Sequence, residues 1–476
     1  MPLRRTTLAR CLLGWLLAGP AAAGSLPAAV DQALRQAQIP ESAIAVVVQP
    51  VGSSRPRLSL NATQPMNPAS VFKLVTTSAA LDLLGPSFSW STPVWLRGPL
   101  RQGRLDGDLV IQGSGDPTLV VERVWLLLRR LRQLGLQEIG GDIVLDRSAF
   151  AADAESPADF DGEPLKPYNV RPDALLLNLK AVRYTLLPDP AQGIARIGTE
   201  PALAGVQVDV QVPLTTGGCG DWRTQLAAHF DDPRHVRFAG SYPLACGERG
   251  WPVAWPEPAA YNARLLQALW QELGGRLGGS VRDGSAPRDT PPTLSATSPP
   301  LAEVVRDINK FSNNVMAQQL FLTLGLQRQG SGTPQAGREV LRQWLLQRFG
   351  AEATAGVVID NGSGLSRETR VSAALLAQLL LATEAGPLMP ELLASLPLAG
   401  IDGTLQRVNG ANGAIGQAHL KTGSLRDVVA LAGEVLGRSG QRHVLVALVN
   451  HPKAQAARPA LDALLQWVHE DLEPAR

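Results

Sequence analysis

The sequence of 476 residues has a net charge of only +2 and few cysteines, and beyond its N-terminus it has no long apolar run. A charge this small does not indicate a nucleic-acid partner, and no clustered basic stripe is visible. The apolar stretches of the mature chain are shorter than the roughly twenty residues needed to span a bilayer. We therefore expect no transmembrane anchor, and at most peripheral contact with a membrane.

The motifs of several enzyme classes are also missing. The sequence has no G-x-S-x-G, the turn on which many Ser-His-Asp hydrolases carry their nucleophile. Its six histidines are scattered and none forms H-E-x-x-H. The glycine-rich stretches lack the lysine or the helix that a phosphate-binding loop requires. We expect no metal site and no cofactor.

The N-terminus has the order of a secretory signal. The basic stretch MPLRRTTLAR is followed by the apolar CLLGWLLAGP and by three alanines before Gly24. This pattern predicts cleavage after Ala23 and removal of residues 1–23. A membrane anchor is the alternative, but the apolar run is too short to span a bilayer. We expect an exported, periplasmic protein.

The scarcity of cysteine is informative in an exported chain. Removal of the signal leaves only Cys219 and Cys246, which are 27 residues apart. An even pair in an oxidising compartment predicts one disulfide. Two reduced, buried thiols are the alternative.

Helical patterns lie at both ends of the mature chain and strand patterns in the middle. A helical apolar pattern ends at Gly85, an exposed turn of the kind that tolerates an insertion. From 86 to 289 the chain reads as short strands and turns, such as GGDIVLDRSAF and AGVQVDVQVPL. We predict an α/β domain made of 24–85 and 290–476, interrupted by a β-rich insertion of 86–289.

The C-terminal part predicts a hairpin and a final helix. The stretch VVALAGEVLGRSGQRHVLVALVN reads as two strands joined by a turn at Arg438 to Gly440. The stretch ARPALDALLQWVHEDL has the apolar stripe of a helix, which we expect to pack on that hairpin.

Lysine is rare, because only six of the 44 basic residues are lysines and the others are arginines. One of the six, Lys73, follows Ser70 by three positions at the start of a predicted helix, so both side chains lie on one face. A desolvated lysine can lose its proton and act as a base, whereas an arginine cannot. A serine that attacks a carbonyl needs such a base. Alone, the pair is also explained by a helix cap at Ser70 and a surface charge at Lys73.

Two further motifs follow in order along the chain. The stretch KFSNNVMAQQL contains S-N-N at 312–314, and AHLKTGSLRD contains K-T-G at 421–423. Separately, the first would be polar helix surface and the second the end of a strand. In the order S-x-x-K, S-x-N, K-T-G, they match the three elements of penicillin-binding proteins and serine β-lactamases.

The chain resembles the D-alanyl-D-alanine carboxypeptidase/endopeptidase family, the class C low-molecular-mass penicillin-binding proteins. Ser70 and Ser312 are 242 residues apart, more than in a compact β-lactamase, and the insertion lies between them. GDLVIQGSGDPTL, DNGSGLSR and GIDGTLQR also resemble this family. The likeness covers nearly the whole mature chain and is loosest between about 185 and 285. It implies a penicillin-binding core, an antiparallel sheet with helices, interrupted by two small inserted domains.

The resemblance also implies an enzyme that cuts D-Ala-D-Ala ends and peptide cross-links in peptidoglycan and binds β-lactams covalently. In it, Lys73 would take the proton from Ser70. Ser312 would hydrogen-bond Lys73 and relay a proton to the leaving amine. Asn314 would hold Lys73 and dock a carbonyl of the stem peptide.

The third motif would hold the substrate. Lys421 would supply a permanent cation and, with Thr422, bind a terminal carboxylate. Gly423 would let the substrate backbone lie against the edge strand. The N–H groups of Ser70 and Ser424 would form the oxyanion hole.

A further expectation concerns the side chain of the stem peptide. Family members that accept diaminopimelate-type stem peptides recognise its free amine and carboxylate. The acidic residues of ADFDGE would meet the amine and two arginines would meet the carboxylate; these five residues are Asp159, Asp161, Glu163, Arg367 and Arg426. Solvated loop charges are an equally good explanation for all five.

Two alternatives to a DD-peptidase stay open. A β-lactamase or an esterase would use the same acylating serine and differ in how fast water releases the acyl group. A non-catalytic peptidoglycan-binding protein would keep the fold, although it would have no need of Lys73.

Overall fold

The computed structural model describes residues 25–151, 155–406 and 413–471. The predicted signal peptide, residues 1–23, lies outside them. In the part of the chain that is described, no helix combines the length and the apolar character needed to cross a bilayer.

Helices and strands are numbered in chain order within these residues. The helices are α1 (Ala28–Gln36), α2 (Lys73–Leu84), α3 (Val121–Gln133), α4 (Trp222–Gln225), α5 (Pro258–Glu272), α6 (Leu301–Lys310), α7 (Asn314–Gln329), α8 (Pro334–Ala353), α9 (Ala373–Glu384), α10 (Met389–Ser395) and α11 (Arg458–Glu470). The strands of the N-terminal half are β1 (Ile44–Pro50), β2 (Leu58–Leu60), β3 (Pro65–Met66), β4 (Ser91–Arg97), β5 (Leu100–Arg101), β6 (Arg104–Leu105), β7 (Asp108–Gln112), β8 (Glu138–Ile139), β9 (Ile143–Asp146), β10 (Ala181–Asp189), β11 (Ile194–Glu200), β12 (Gln207–Val208) and β13 (Gln211–Thr215). The later strands are β14 (Ala228–His229), β15 (His235–Phe238), β16 (Tyr242–Pro243), β17 (Arg249–Ala254), β18 (Arg276–Leu277), β19 (Val281–Asp283), β20 (Leu294–Thr297), β21 (Val371–Ser372), β22 (Ala418–Leu425), β23 (Val428–Leu436) and β24 (Arg442–Asn450).

A five-stranded antiparallel sheet in the order β2-β1-β24-β23-β22 underlies the larger domain. Strands β1, β23 and β24 are nearly continuous apolar runs, as expected of strands with helices on both faces. Val46 and Val48 belong to the core beneath α1 and α11. Ala45 and Val47 belong to the core shared with α2, α6, α7, α8 and α9. The sheet therefore lies between two helical layers.

The predicted C-terminal hairpin and final helix are confirmed. Strands β23 and β24 pair antiparallel on either side of a turn at Arg438 to Gly440. Helix α11 buries Leu464, Leu465 and Val468 against this sheet.

The segment that carries Ser70 starts as a tighter turn than the sequence predicts. Residues Ala69–Phe72 form a 3₁₀ helix, and α2 begins only at Lys73. Helix α2 is buried nearly all round over its first nine residues, because it runs through the centre of one helical layer. It ends at Gly85, whose φ of 84° is readily adopted only by glycine.

Between α2 and α6 the chain forms two further sheet systems. The first contains the sheets β19-β9-β7-β4-β20 and β18-β8-β6-β5, and the second contains β16-β13-β11-β10-β17 and β12-β15-β14. A common apolar core joins them. The predicted β-rich insertion is therefore present as a mixed structure of several small sheets.

The insertion also holds two long helices, α3 and α5, in a region that the sequence pattern described as strands and turns. In α3 the buried residues Val124, Leu127, Leu128 and Leu131 recur at helical spacing. Four arginines, a glutamate and a glutamine fill most of the other positions of this helix. Short apolar clusters of this kind do not distinguish a strand from a helix.

The sheet of the insertion continues past residue 289. Strand β20 pairs antiparallel with β4, and Leu294 lies opposite Val94. The division into 24–85 plus 290–476 and 86–289 stays a prediction, and the strand pairing extends the inserted sheet to the end of β20.

The predicted disulfide is present, because Cys219 and Cys246 are bonded to each other. Cys246 is buried, and Trp222, Trp251 and Phe230 pack around this part of the second sheet system. The bond therefore closes a loop within the insertion and lies at its apolar core.

Replacing both cysteines, Cys219→Ala with Cys246→Ala, should destabilise the insertion by about 3 kcal/mol, because a loop of 27 residues is no longer closed in the unfolded chain. Urea unfolding followed by tryptophan fluorescence measures this, since Trp222 and Trp251 lie nearby. The release of D-Ala from a D-Ala-D-Ala peptide should be unchanged. An unfolding midpoint equal to that of the oxidised parent protein would contradict the prediction.

Candidate active site

Ser70 lies on the 3₁₀ turn that leads into α2, half-buried at the edge of strand β22. The preceding Ala69 has φ 46°, a left-handed conformation that costs a non-glycine residue roughly 1 kcal/mol. Asn67 supports this turn, because its Oδ1 accepts the N–H of Ala69 at 2.8 Å. Backbone strain of this kind is concentrated at functional sites.

Lys73 is fully buried and points at Ser70. Its Nζ lies 3.1 Å from Ser70 Oγ, 2.6 Å from Asn314 Oδ1 and 2.7 Å from the carbonyl oxygen of Ser363. The predicted contacts of Lys73 with Ser70 and Asn314 are therefore present in the geometry.

The electrostatic surroundings of Lys73 disfavour its charged form. Burial lowers the pKa of Lys73 well below its usual value, and the nearby charge of Lys421 lowers it further. No carboxylate faces its amine among the contacts described above, so nothing offsets the cost of desolvating an ammonium group. The site favours a neutral amine.

The S-N-N segment joins α6 to α7, and each of its three residues has a different role. Ser312 has φ 54°, which turns the chain sharply between the two helices. Asn313 caps α7, because its side chain accepts the N–H of Met316. Asn314, the first residue of α7, is thereby directed at Lys73.

Ser312 contacts a different lysine from the one expected. Its Oγ accepts a hydrogen bond from Lys421 Nζ at 2.9 Å, whereas we expected one from Lys73. Lys421 also donates to the carbonyl oxygen of Thr422 at 2.8 Å. The two lysines therefore serve two serines: Lys73 faces Ser70, and Lys421 faces Ser312.

The expectation that Lys421 is a permanent cation stays a prediction, and its surroundings oppose that charge. Lys421 is fully buried, and burial lowers its pKa to about 7. Burial therefore opposes the charged form of Lys421.

Strand β22 is the edge strand of the sheet and lies against the turn of Ser70. A Cβ on Gly423 would lie 2.5 Å from the carbonyl oxygen of Pro68 and 3.2 Å from Ala69 Cβ. We expected this glycine to leave room for a substrate backbone. That role stays a prediction. The absent side chain also lets the strand approach the Ser70 turn, which fixes the distance between the two halves of the site.

The two remaining polar residues of this strand face other partners. Thr422 Oγ1 lies 2.8 Å from Thr404 Oγ1. Ser424 Oγ accepts hydrogen bonds from Gln455 at 3.2 Å and from Arg458 at 3.3 Å. Because Thr422 and Ser424 are two residues apart on a strand, both point to the side opposite Lys421.

Sequence reasoning missed Ser363, Thr404, Gln455 and Arg458. Ser363 and Thr404 lie in DNGSGLSR and GIDGTLQR, two stretches that resemble the family, but the resemblance gave neither a role. Ser363 acts through its backbone carbonyl, so its side-chain type carries no signal. No pattern in the sequence distinguishes Gln455 and Arg458 from other surface residues.

A cavity of about 620 Å³ opens beside α7 and is lined by residues of the insertion and of the larger domain. Asp159 and Arg367 both line it. Arg367 also lies over the ring of Phe160, 5.1 Å from its centre. The pair expected to meet a side-chain amine and a carboxylate is therefore brought to one cavity.

The other three expected recognition residues are not among those that line this cavity. Asp161 accepts hydrogen bonds from Tyr168 at 2.9 Å and from Asn169 at 2.7 Å, which hold its own loop together. Glu163 and Arg426 are exposed. For these residues the structure favours solvated or loop-stabilising roles.

An antiparallel sheet between helical layers, with a buried lysine against a serine at a helix start, is the arrangement of penicillin-binding peptidases and of serine β-lactamases. Over residues 26–470 the chain matches the D-Ala-D-Ala carboxypeptidase 3 (S13) family. The chain belongs to this family. The enzyme class inferred from the three motifs is thereby confirmed.

Individual relatives agree with this assignment. The D-alanyl-D-alanine carboxypeptidase of Actinomadura sp. (strain R39) is 28% identical over 432 residues, covering 87% of this chain and 78% of that protein. The D-alanyl-D-alanine carboxypeptidase DacB of Haemophilus influenzae is 26% identical over 421 residues, covering 87% and 86%. The crystal structure of penicillin binding protein 4 (dacB) of H. influenzae superposes with a TM-score of 0.72 at 24% identity, over 92% of this chain and 99% of that one. The predicted α/β fold is therefore confirmed.

Gly423→Ala should lower the rate of D-Ala release by about 10² or more, because the new methyl group meets backbone atoms that cannot yield and moves β22 away from Ser70. Steady-state kinetics on a D-Ala-D-Ala tripeptide measures the loss. Gly198→Ala is the matched control, since a Cβ there meets nothing closer than 3.8 Å. Equal activity in the two variants would refute the close approach as a requirement.

Proposed function

We propose that this enzyme removes the terminal D-Ala from peptidoglycan stem peptides and hydrolyses the D-amino-acid cross-links between them. The reaction proceeds through an acyl-enzyme on Ser70, and penicillin acylates the same serine. The enzyme acts after export, in the periplasm. Family membership supports the reaction class, and the contacts of Lys73 support the mechanism.

The carrying observation is the set of three neighbours around Lys73 Nζ. A neutral amine has two N–H donors and one lone pair. Asn314 Oδ1 and the Ser363 carbonyl oxygen are pure acceptors and take the two donors. The third neighbour, the hydroxyl of Ser70, can donate its proton to the lone pair. This is the arrangement that a general base requires.

In the proposed mechanism Ser70 Oγ attacks the carbonyl carbon of the D-Ala-D-Ala bond while Lys73 accepts its proton. The N–H groups of Ser70 and Ser424 stabilise the oxyanion that forms. As the C–N bond breaks, Ser312 passes its hydroxyl proton to the amine nitrogen and takes one back from the ammonium group of Lys421, and the terminal residue leaves. Water then attacks the ester and gives a proton back to Lys421 through Ser312, while Lys73 returns its proton to Ser70 Oγ.

The cavity beside α7 is proposed to receive the side chain of the stem peptide. It is large enough for an extended polar side chain, and Asp159 and Arg367 offer opposite charges to an amine and a carboxylate. A diaminopimelate-type side chain carries both groups.

The role of Lys73 is tested with a labelled penicillin. Lys73→Arg should lower the acylation rate by about 10²–10⁴, because arginine keeps the charge and cannot accept the proton. Mass spectrometry of the intact protein measures the adduct, and Ser70→Ala provides the unlabelled control.

Three outcomes separate the candidate functions. A stable adduct on Ser70 together with D-Ala release supports the peptidase. Rapid turnover of penicillin would indicate a β-lactamase instead, and no label at all a binding protein. Near-normal acylation in Lys73→Arg would exclude Lys73 as the base.

The pH dependence of acylation should have an alkaline fall caused by Lys421. Because its pKa is about 7, raising the pH through 7 removes the charge that attracts the carboxylate of penicillin. On the acidic side the rate falls because Lys73 becomes protonated. Lys421→Gln should abolish the alkaline fall. It should also move the acidic limb to higher pH, since the charge of Lys421 no longer lowers the pKa of Lys73.

The second-order rate constant of acylation, measured from about pH 5 to about pH 9, reports both limbs. An alkaline fall that persists in Lys421→Gln would assign it to another group.

A further inference from the structure

The outer side of strand β22 carries a cluster of polar side chains that the mechanism above does not use. Ser424, the residue after K-T-G, is exposed at the end of the strand. Arg458, the first residue of α11, donates to Ser424 Oγ at 3.3 Å and to Gln455 Oε1 at 2.9 Å. Gln455 Nε2 donates to Ser424 Oγ at 3.2 Å and to the carbonyl oxygen of Leu425 at 2.5 Å. The guanidinium is therefore held at the end of the substrate-binding strand.

The charge of this arginine is not taken up by an ion pair in the described part of the chain, although it acts at longer range on Asp462 in the next turn of α11. Among the described residues no ion pair within 4.0 Å involves Arg458, and its contacts here are with neutral oxygens. Arginine keeps its charge at every physiological pH, and its fork of N–H donors fits a carboxylate. An exposed guanidinium docked beside a binding strand is therefore free to attract an anion.

The substrate carries such an anion, and the buried Lys421 alone compensates the charge of this anion only in part. The terminal D-Ala has a free α-carboxylate next to the scissile bond. The amine of Lys421 already contacts Ser312 and the carbonyl oxygen of Thr422, and its burial opposes its charged form. Thr422 and Ser424 lie on the same side of β22, so a carboxylate at Thr422 approaches the Ser424 end of the strand.

We propose that Arg458 is a specificity-determining residue, whose guanidinium, held by Ser424 and Gln455, attracts the free α-carboxylate of the residue that leaves. The inference rests on the proposed function and adds the group that selects a carboxylate. Arg458 acts on binding and on the approach of the substrate, and it takes no part in the proton transfers.

The test compares two substrates, diacetyl-L-Lys-D-Ala-D-Ala and the same tripeptide with a C-terminal amide. The readout is the ratio of kcat/KM for the acid to that for the amide. Arg458→Gln should lower this ratio about five- to tenfold at low salt, and the difference should shrink at about 0.5 M salt, because salt screens exposed charges. Arg458→Lys should restore most of the ratio.

Lys453→Gln is the matched control. Lys453 is an exposed cation close to the start of α11 that contacts Gln38, so the variant loses the same surface charge away from Ser424. Its ratio should equal that of the parent enzyme. Thermal unfolding should be unaltered in all three variants, because both residues are exposed.

The outcomes distinguish this inference from the proposed function. If Arg458→Gln keeps the parent ratio, or loses activity equally on both substrates, Arg458 does not select the carboxylate, although acylation of Ser70 by penicillin still stands. If the parent enzyme is not acylated at Ser70 and releases no D-Ala, the proposed function falls and this inference falls with it.

Discussion

The active site depends on the exclusion of water from the amine of Lys73. An ammonium group at the position of Lys73 would be fully buried with only neutral oxygens around it, at a cost of several kcal/mol. The acceptors at Asn314 and Ser363 satisfy the N–H groups without compensating a charge. Folding itself therefore favours the unprotonated form, which is the form that can accept a proton from Ser70. The surrounding helical layer keeps water away from this amine.

The active site is built from four segments that are far apart in the sequence. The architecture brings these segments together at a small cost in chain entropy. The insertion leaves and re-enters the larger domain at nearly one point, where Leu301 N–H donates to the Phe88 carbonyl at 2.7 Å and Ser298 N–H to the Trp90 carbonyl at 3.0 Å. A long insertion with adjacent ends adds little closure entropy, because that cost rises only logarithmically with length. The core can therefore fold around α2 as if the insertion were a short loop.

The sequence predicted the reactive residues of the site better than it predicted their contacts. The scarcity of lysine and the three-residue spacing located Ser70 and Lys73, because both signals are local. It mispaired Ser312 with Lys73, since two buried lysines are available and only their coordinates decide which serine each one contacts. Its account of Gly423 considered the substrate alone, whereas the clash that excludes a side chain comes from Pro68. The pKa of Lys421 was equally inaccessible, because burial is a property of the folded chain.

The proposed reaction needs a neutral base and a charged anchor, and no single amine can be both. The proposed base, Lys73, must be neutral, and burial favours its neutral form. An anchor for a carboxylate must be charged, and burial opposes the charged form of Lys421. Moving Lys421 outward would restore its charge but would remove it from Ser312, and with it the route for the leaving proton. A third cation at the solvent boundary resolves the conflict, since the guanidinium of Arg458 keeps its charge at every physiological pH. The buried Lys73 thus supplies the basic amine, and the exposed Arg458 supplies the permanent charge.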